Sequence, residues 1–508
     1  MTGRGGTEAA SPVGPGTAPV VVASNRGPVE LAAGPEAAGR PRRGGGGLIA
    51  ILGSALVGSG GVWVVAGTRH TGAPAARTGP DGPTPGLAGR ARLVELPQGR
   101  VAVRVVELAP EIYRAYYGRI ANRILWFLHH QLFDLSRSPT FGPPFRADWR
   151  AYEHVNQAVA DACAAEVAPG GTVLLQDYHL AVAPARLRAR RPDVRIIHCT
   201  MCPWAEPSYF ATLPGWAAHR LLAGMLGADE LSFFVPRWAR SFLRCCADLG
   251  YDVDWPTWRV RAPGGGGHTA TVRVVPVGVD VGRLQARLTT PPVRAEAAEV
   301  ASLVGDRRLI LRVDRLDPAK NILRGVAGYG AFLAGNPARH GEVLHYVLAY
   351  QSRADLPEYQ RYAGEVRAAV DRLRRRFRTG SWEPVVLDTR NNIDRALALM
   401  ARADVLVVNP VRDGMNLVVK EAAAVSQRDV AVILSRHAGA ADELAAGSLV
   451  IDPFDTVELA DAIAAALALA PAERGRRLAL LRAAAGAVPP RRWLDLLLTG
   501  GSRSDGAA

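Results

Sequence analysis

The chain of 508 residues is too long for a single core and fits two domains of roughly 200 to 250 residues each. At 48% hydrophobic and 21% charged it reads as globular, with no apolar run of about 18 residues to cross a bilayer. The start MTGRGGTEAASPVGPGT lacks the apolar core of a leader, so the expected compartment is the cytoplasm.

The net charge of +14 does not by itself imply nucleic acid. Its arginines are scattered among alanines on helix faces, and no basic block is interleaved with aromatics. Small anionic substrates account better for the charge that matters. Five cysteines are too few for a disulfide framework. Cys199 and Cys202 form a CxxC, but they follow an apolar run and lack a second pair, which predicts a buried strand end rather than zinc or redox chemistry.

Residues 1–17 are rich in Gly, Pro and Ala, and disorder is expected there. APVVVASNRGPVE then predicts a strand ending at Ser24-Asn25-Arg26, followed by a glycine run, RRGGGGLIAILGSAL, that opens a helix. Strands are expected at 62–66 and 101–107, with a Pro/Gly-rich insertion between them at 72–90. YRAYYGRIANRILWFLHHQLF reads as helical, its aromatics mostly core. From 171 the rhythm is regular, with strands GTVLLQ, VRIIHC, DELSFF and VRVVPV alternating with helices near 214–225 and 236–248. PVGVD and the region to about 303 read as a linker. A second alternation occupies 308–470, with strands near 308, 344, 384, 404, 430 and 448. Two α/β, doubly wound, Rossmann-like domains follow: 18–285 and 300–470, with terminal helices at 471–508 that could cross back to the first domain.

Ligands of open α/β sheets bind beyond the carboxyl ends of the strands. That singles out Arg26 and Asp177 in the first domain, and Arg315, Lys320, Arg353 and Asp413 in the second. In NPVRDGMNLVVKE, the amides of Gly414, Met415, Asn416 and Leu417 are expected at a helix mouth, a ready anion site. Only two of the 61 basic residues are lysines, Lys320 and Lys420, and both fall in these strand-to-helix stretches. A compact ammonium is hard to replace by a guanidinium where a point charge meets a phosphate. A cleft lined by such groups suits transfer between two bound substrates.

Taken together these residues resemble the trehalose-phosphate synthase family of retaining glycosyltransferases, built on the GT-B fold. The resemblance covers about residues 20 to 470. It is carried by Ser24-Asn25-Arg26, Gly46-Gly47-Leu48, the pair Tyr117 and Trp126, the DYHL of Asp177–Leu180, the DRLD-x-x-K of Asp314–Lys320, Ser352-Arg353, and Arg412–Glu421. It implies a nucleotide-sugar donor, a UDP-, GDP- or ADP-hexose, on the second domain. Arg315 and Lys320 would hold the diphosphate, helped by the amides of Gly414–Leu417, with Gly47 on the donor side, Glu421 on the ribose and Asp413 at the transferred sugar. Arg26, Tyr117, Trp126 and Arg353 would hold a sugar-phosphate acceptor, with Asp177 at its hydroxyls. The resemblance further implies retention of configuration, no metal, no cofactor, and neither nucleic acid nor membrane as partner. Oligomeric state is not legible, and a homo-oligomer stays open.

Three departures from that pattern stand out, at four positions. The family's histidine 24 residues after the DYHL aspartate is here Met201, a donor-side position whose thioether is a poor partner for a sugar hydroxyl. His179 or His198 are the nearby substitutes. Pro318 and Asn321 flank the lysine turn in a form similar to the validoxylamine-phosphate synthase branch, which couples cyclitols, and Gln176 stands where histidine is common. The parent activity is α,α-trehalose 6-phosphate synthesis. A relative making a modified or pseudo-disaccharide phosphate is the alternative, and a non-catalytic sugar-phosphate-binding regulator is the alternative of another class. The retained Arg315, Lys320, Asp413 and Glu421 argue against the regulator.

Overall fold

The computed structural model describes residues 14–27, 29–30, 42–43, 52–53, 56–68, 91–96, 99–261 and 268–500. The expectations for residues 1–13, the glycine run with Gly47, and the 72–90 insertion lie outside the described residues.

Two sheets organise the chain. The first is built from β1 (Ala18–Ser24), β4 (Val62–Thr68), β5 (Arg92–Leu96), β6 (Gly99–Leu108), β7 (Val167–Gln176), β8 (Arg195–Thr200), β9 (Glu230–Phe233), β10 (Asp252–Asp254), β11 (Arg259–Arg261) and β12 (Thr269–Val274). A separate two-stranded ribbon pairs β2 (Val29–Glu30) with β3 (Arg42–Arg43). The spatial order β10-β11-β12-β9-β8-β7-β1-β4-β6-β5 runs parallel from β12 to β6 and antiparallel at both edges. The second sheet holds β13 (Arg308–Arg315), β14 (Val343–Tyr350), β15 (Val385–Asp388), β16 (Val405–Val408), β17 (Ala431–Ser435) and β18 (Ser448–Ile451). It is wholly parallel, in the order β15-β14-β13-β16-β17-β18.

The strands are near-continuous apolar runs because helices cover both of their faces. VLVV of β16 is buried throughout, and burying each such side chain contributes roughly 1.5–3 kcal/mol. Each sheet reverses its winding once: between β1 and β7 in the first, and between β13 and β16 in the second. Helices leave opposite faces on the two sides of such a point, which opens a crevice at the strand ends. Arg26 and Asp177 follow β1 and β7, while Arg315 closes β13 and Asp413 follows β16. The side chains singled out in the sequence thus sit at the two places where an open α/β sheet takes ligand.

The region read as a linker is instead two helices, Val281–Leu288 and Pro291–Val304. Asp280 caps the first, its carboxylate accepting from the Arg283 amide at 3.0 Å. Both belong to the second domain. Arg287 bonds Asp394 at 2.8 Å, and buried Arg395 bonds Glu296 at 2.8 Å and Glu299 at 3.0 Å. At the other end, the helix Pro490–Thr499 returns to the first sheet. Arg195 donates to the Leu497 carbonyl at 3.2 Å, and Trp493 is fully buried near Phe234.

Candidate active site

Helical backbone runs continuously over 110–130, and its middle, Arg114–Leu125, is wound more widely than an α-helix. The Trp126 amide donates to the Ala121 carbonyl, five residues back. Such widened turns re-aim side chains and gather at functional sites. Here Tyr116 goes to the core, whereas Tyr117 and Trp126 reach the cleft. Arg26, exposed at the end of β1, donates to the Tyr117 hydroxyl at 2.7 Å, and Asn25 donates to the Tyr113 hydroxyl at 3.2 Å. His179 stacks on Tyr117 with centroids 5.7 Å apart. Burial pushes the Tyr117 phenol up, but Arg26, Arg353 and Arg315 outweigh it and hold it below its ordinary value. Of the three, Arg26 is bonded to that hydroxyl, and Arg353 and Arg315 act on it through their charge.

From the second domain, Arg353 lies 4.1 Å from the Trp126 ring centroid and Arg315 lies 5.2 Å from it. Arg353 donates to the Tyr178 hydroxyl of the first domain at 3.1 Å and also to the Tyr359 hydroxyl. Its backbone is left-handed at φ 51°, a strained state for arginine that the surroundings hold in place. The acceptor-side residues proposed from the sequence, Arg26, Tyr117, Trp126 and Arg353, thus come together with Arg315 in one basic cleft between the domains.

At the crevice of the second sheet, the Lys320 ammonium is paired with the Asp413 carboxylate. Burial pushes Asp413 up, yet Lys320 outweighs it and holds the carboxyl below its ordinary value. Asn416 adds a hydrogen bond to Asp413 at 3.0 Å. Behind this pair, fully buried Arg312 donates to Asp314 at 2.7 Å and to the Lys320 carbonyl at 3.0 Å. Gly325 makes room for it, because a Cβ there would stand 2.6 Å from the Arg312 Nη2. Sequence reasoning missed Arg312, and an arginine inside an apolar strand run beside the lysine turn was the available signal. Asn321, where the family pattern has glycine, is left-handed at φ 57°, a conformation asparagine tolerates better than most residues. Its amide ties the turn to the Asn409 carbonyl at 3.0 Å and the Pro453 carbonyl at 2.7 Å.

The helix Leu417–Val425 begins one turn after Asp413, with left-handed Asn416 at φ 79° as its cap. Gly414 cannot be replaced without movement, since a Cβ there would lie 1.8 Å from the Met201 carbonyl. The Gly414 carbonyl accepts from the Trp238 indole at 3.0 Å, and the Met415 carbonyl accepts from the Ala440 amide at 2.7 Å. Met201 is held from its other side as well, because Asp177 Oδ1 accepts from the amides of Met201 at 3.1 Å and Cys202 at 3.2 Å. Asp177 is accordingly committed in part to shaping the Met201 loop. Fully buried His198 bonds the Asp177 carbonyl and Thr200, which makes it a core residue rather than a substitute for the missing histidine.

Glu421, one turn into the same helix, has no hydrogen-bond or ion-pair partner among the described residues. Burial pushes its carboxyl up to about 6. Lys420, its neighbour in sequence, does not face the cleft chemistry expected for a retained lysine. It is buried, bonded to the Val277 carbonyl at 2.7 Å and to Glu443 at 2.5 Å, where it ties the helix to the segment joining the domains. Cys199 and Cys202 are buried free thiols, and the described residues hold no cluster of metal-ligating side chains. No helix among them is long and apolar enough to cross a membrane.

Two Rossmann-like domains that meet at their switch points across a cationic cleft define a GT-B glycosyltransferase. The chain belongs to glycosyltransferase family 20, whose model matches residues 89–496. It is 31% identical over 443 residues, 86% of this chain and 85% of the relative, to validamine 7-phosphate valienyltransferase of Streptomyces hygroscopicus subsp. jinggangensis. It is likewise 31% identical, over 96% of this chain and 94% of the relative, to trehalose-6-phosphate synthase of Mycolicibacterium smegmatis. Among solved structures, the Burkholderia xenovorans α,α-trehalose-phosphate synthase in complex with glucose-6-phosphate superposes with a TM-score of 0.80 at 25% identity, covering 95% of this chain and 99% of that one.

Proposed function

We propose that the enzyme transfers a hexose, or a hexose-like cyclitol, from a nucleotide diphosphate carrier to the hydroxyl of a sugar phosphate, with retention of configuration. The observation that carries this reading is the gathering of Arg26 on Tyr117 and of Arg315 and Arg353 on Trp126 between the domains. Such an excess of fixed positive charge asks for phosphate groups.

Breaking the bond to the carrier builds positive charge on the sugar and negative charge on the departing phosphate. Arg315 and Lys320, with the amides of Gly414–Leu417, would stabilise that phosphate where its charge develops. Lys320 would share its charge between the phosphate and Asp413, which orients it and would itself face the transferred sugar. Glu421 would accept the ribose hydroxyls, the partners its half-buried carboxylate lacks among the described residues. Arg26 and Arg353 would grip the acceptor phosphate, with Tyr117 and Trp126 as walls. Asp177 would meet the acceptor hydroxyls through whatever capacity the Met201 loop leaves it. The departing phosphate oxygen can take the acceptor proton on the same face, so no second carboxylate at glycosidase spacing is needed.

Met201 favours a second reading, because a thioether at the donor sugar suits a substrate that lacks a hydroxyl there. One relative is named a valienyltransferase, for a unit other than glucose. A matrix of UDP-, GDP- and ADP-glucose and a GDP-cyclitol against glucose 6-phosphate and an aminocyclitol phosphate separates the two. Trehalose 6-phosphate among the products supports the parent activity. Turnover confined to the cyclitol partners supports the specialised one.

A further inference from the structure

We infer that Asp317 is a positioning residue that fastens the Trp126 indole of the first domain to Arg353 and Arg315 of the second, so that the two substrate sites close and are aimed as one unit. The inference rests on the reading above that phosphate groups bind these arginines.

Asp317 is fully buried, and a buried carboxylate is costly unless both oxygens are occupied. Its Oδ1 accepts from the Ala319 amide at 3.0 Å and from the Trp126 Nε1–H at 3.3 Å. Its Oδ2 accepts from Arg353 at 3.1 Å and lies 3.5 Å from the Arg315 Nη2. Capping the short turn after it needs only the Ala319 bond. The other oxygen serves the two arginines, one on each side of the reaction.

The contacts divide by domain. Asp317, Arg315 and Arg353 all belong to the second domain and travel together if the cleft opens. The Trp126 bond, the stacking of both guanidiniums on that indole and the Arg353 bond to Tyr178 form only when it is closed. His130 stacks against Trp126 at 3.7 Å, and its Nδ1 meets the Trp126 carbonyl at 2.9 Å, so the indole is a fixed target. A phosphate on either arginine favours the closed arrangement that presents the other. Nucleotide binding should therefore strengthen acceptor binding, and the reverse to the same factor.

The test is calorimetric titration of glucose 6-phosphate into the full chain with and without saturating UDP, and separately GDP, for the native protein, Asp317→Asn and Trp126→Phe. The Asp317→Asn change keeps the turn cap, since an amide oxygen can still accept from Ala319 and Trp126, and removes the charge that serves the arginines. The expected result is tightening by about 5-fold or more in the native protein. It should fall towards no coupling in D317N, which still folds but melts lower because Arg353 is left largely buried without its carboxylate, and weaken in W126F, which keeps a ring but loses the donor. No coupling in the native protein, or undiminished coupling in D317N and W126F, overturns the inference. A second readout needs no ligand: hydrogen exchange of the Trp126 indole N–H, assigned by W126F. It should be protected in the native protein and at least tenfold faster in Asp317→Ala, and equal rates overturn the bridge. If neither nucleotide nor glucose 6-phosphate binds the native protein, the substrate reading fails, and the indole exchange still decides on Asp317.

Discussion

The two switch points are built to different standards of rigidity. At the second-domain crevice, charges are matched before any ligand arrives: Lys320 with Asp413, Arg312 with Asp314, and Arg353 and Arg315 with Asp317, with Arg312, Asp314 and Asp317 buried and the others partly so. At the first-domain crevice, Arg26 is exposed and bonded, among the described residues, to a neutral phenol alone, while Asp177 supports a loop. Under the proposed roles, Lys320 and Arg315 would meet the departing phosphate already preorganised, as stabilisation of developing charge requires. Of the two arginines proposed for the acceptor phosphate, Arg353 is held by Asp317 and Arg26 is the loose one, and gripping a ground-state anion needs only binding.

The comparison breaks most readily at Lys320. Lys320→Ala should lower kcat on the order of 10²–10³, the cost of removing a donor from developing oxyanion charge. It should also lower the melting temperature, because Asp413 is left buried without its cation. Adding Asp413→Asn should recover the melting temperature but not turnover, and steady-state kinetics beside calorimetry separate the two. Near-native turnover in Lys320→Ala would remove the lysine from the chemistry.

Gly414→Ala probes the contact between the crevices. A Cβ there meets the Met201 carbonyl at 1.8 Å, and a misplacement of about 1 Å costs roughly 10²-fold in rate. Turnover should fall by that order while circular dichroism stays native. An unimpaired variant would mean that Met201 and Gly414 need not touch during catalysis.

Arg26→Ala should raise the acceptor KM roughly 10- to 100-fold, the worth of one charged hydrogen bond. The donor KM and melting temperature should barely move, since Arg26 is exposed. A matching rise in donor KM would contradict the division of labour between the crevices.

The smallest effect is in pH. Burial raises the Glu421 carboxyl to about 6 in the folded, unliganded enzyme. A group raised in this way favours its protonated form, so its contribution to stability is full below its unfolded value and is lost as pH rises through about 6. Ribose hydroxyls donate to the carboxylate, so donor affinity should change in the opposite sense, weakening as pH falls through about 6. Donor KM measured from pH 5 to 8 should show this few-fold rise on the acid side, and Glu421→Gln should flatten it.

Much of this was legible in the sequence because strand ends followed by charged turns leave a local signature. Arg26, Asp177, Arg315, Lys320 and Asp413 could be placed at crevices from apolar runs and breakers alone. Other features depend on contacts between distant segments. The helices Val281–Leu288 and Pro291–Val304 looked like linker because the first is short and the second is alanine-rich and weakly patterned, and both are held by partners about a hundred residues away, such as Asp394 for Arg287. Lys420 shared its composition signal with Lys320, but its helix turns the ammonium towards Val277 and Glu443 instead. Asp317 was visible as part of a motif. Its bridging role required the Trp126 indole, brought from 191 residues away.

The most direct test of the central claim is the release of nucleotide from UDP-, GDP- and ADP-glucose and a GDP-cyclitol, each with and without a sugar phosphate, with product identity read by NMR. The account predicts release that depends on the sugar phosphate and yields an α-linked disaccharide or pseudo-disaccharide phosphate. Release that ignores the acceptor, or binding of both partners without any turnover, would contradict it.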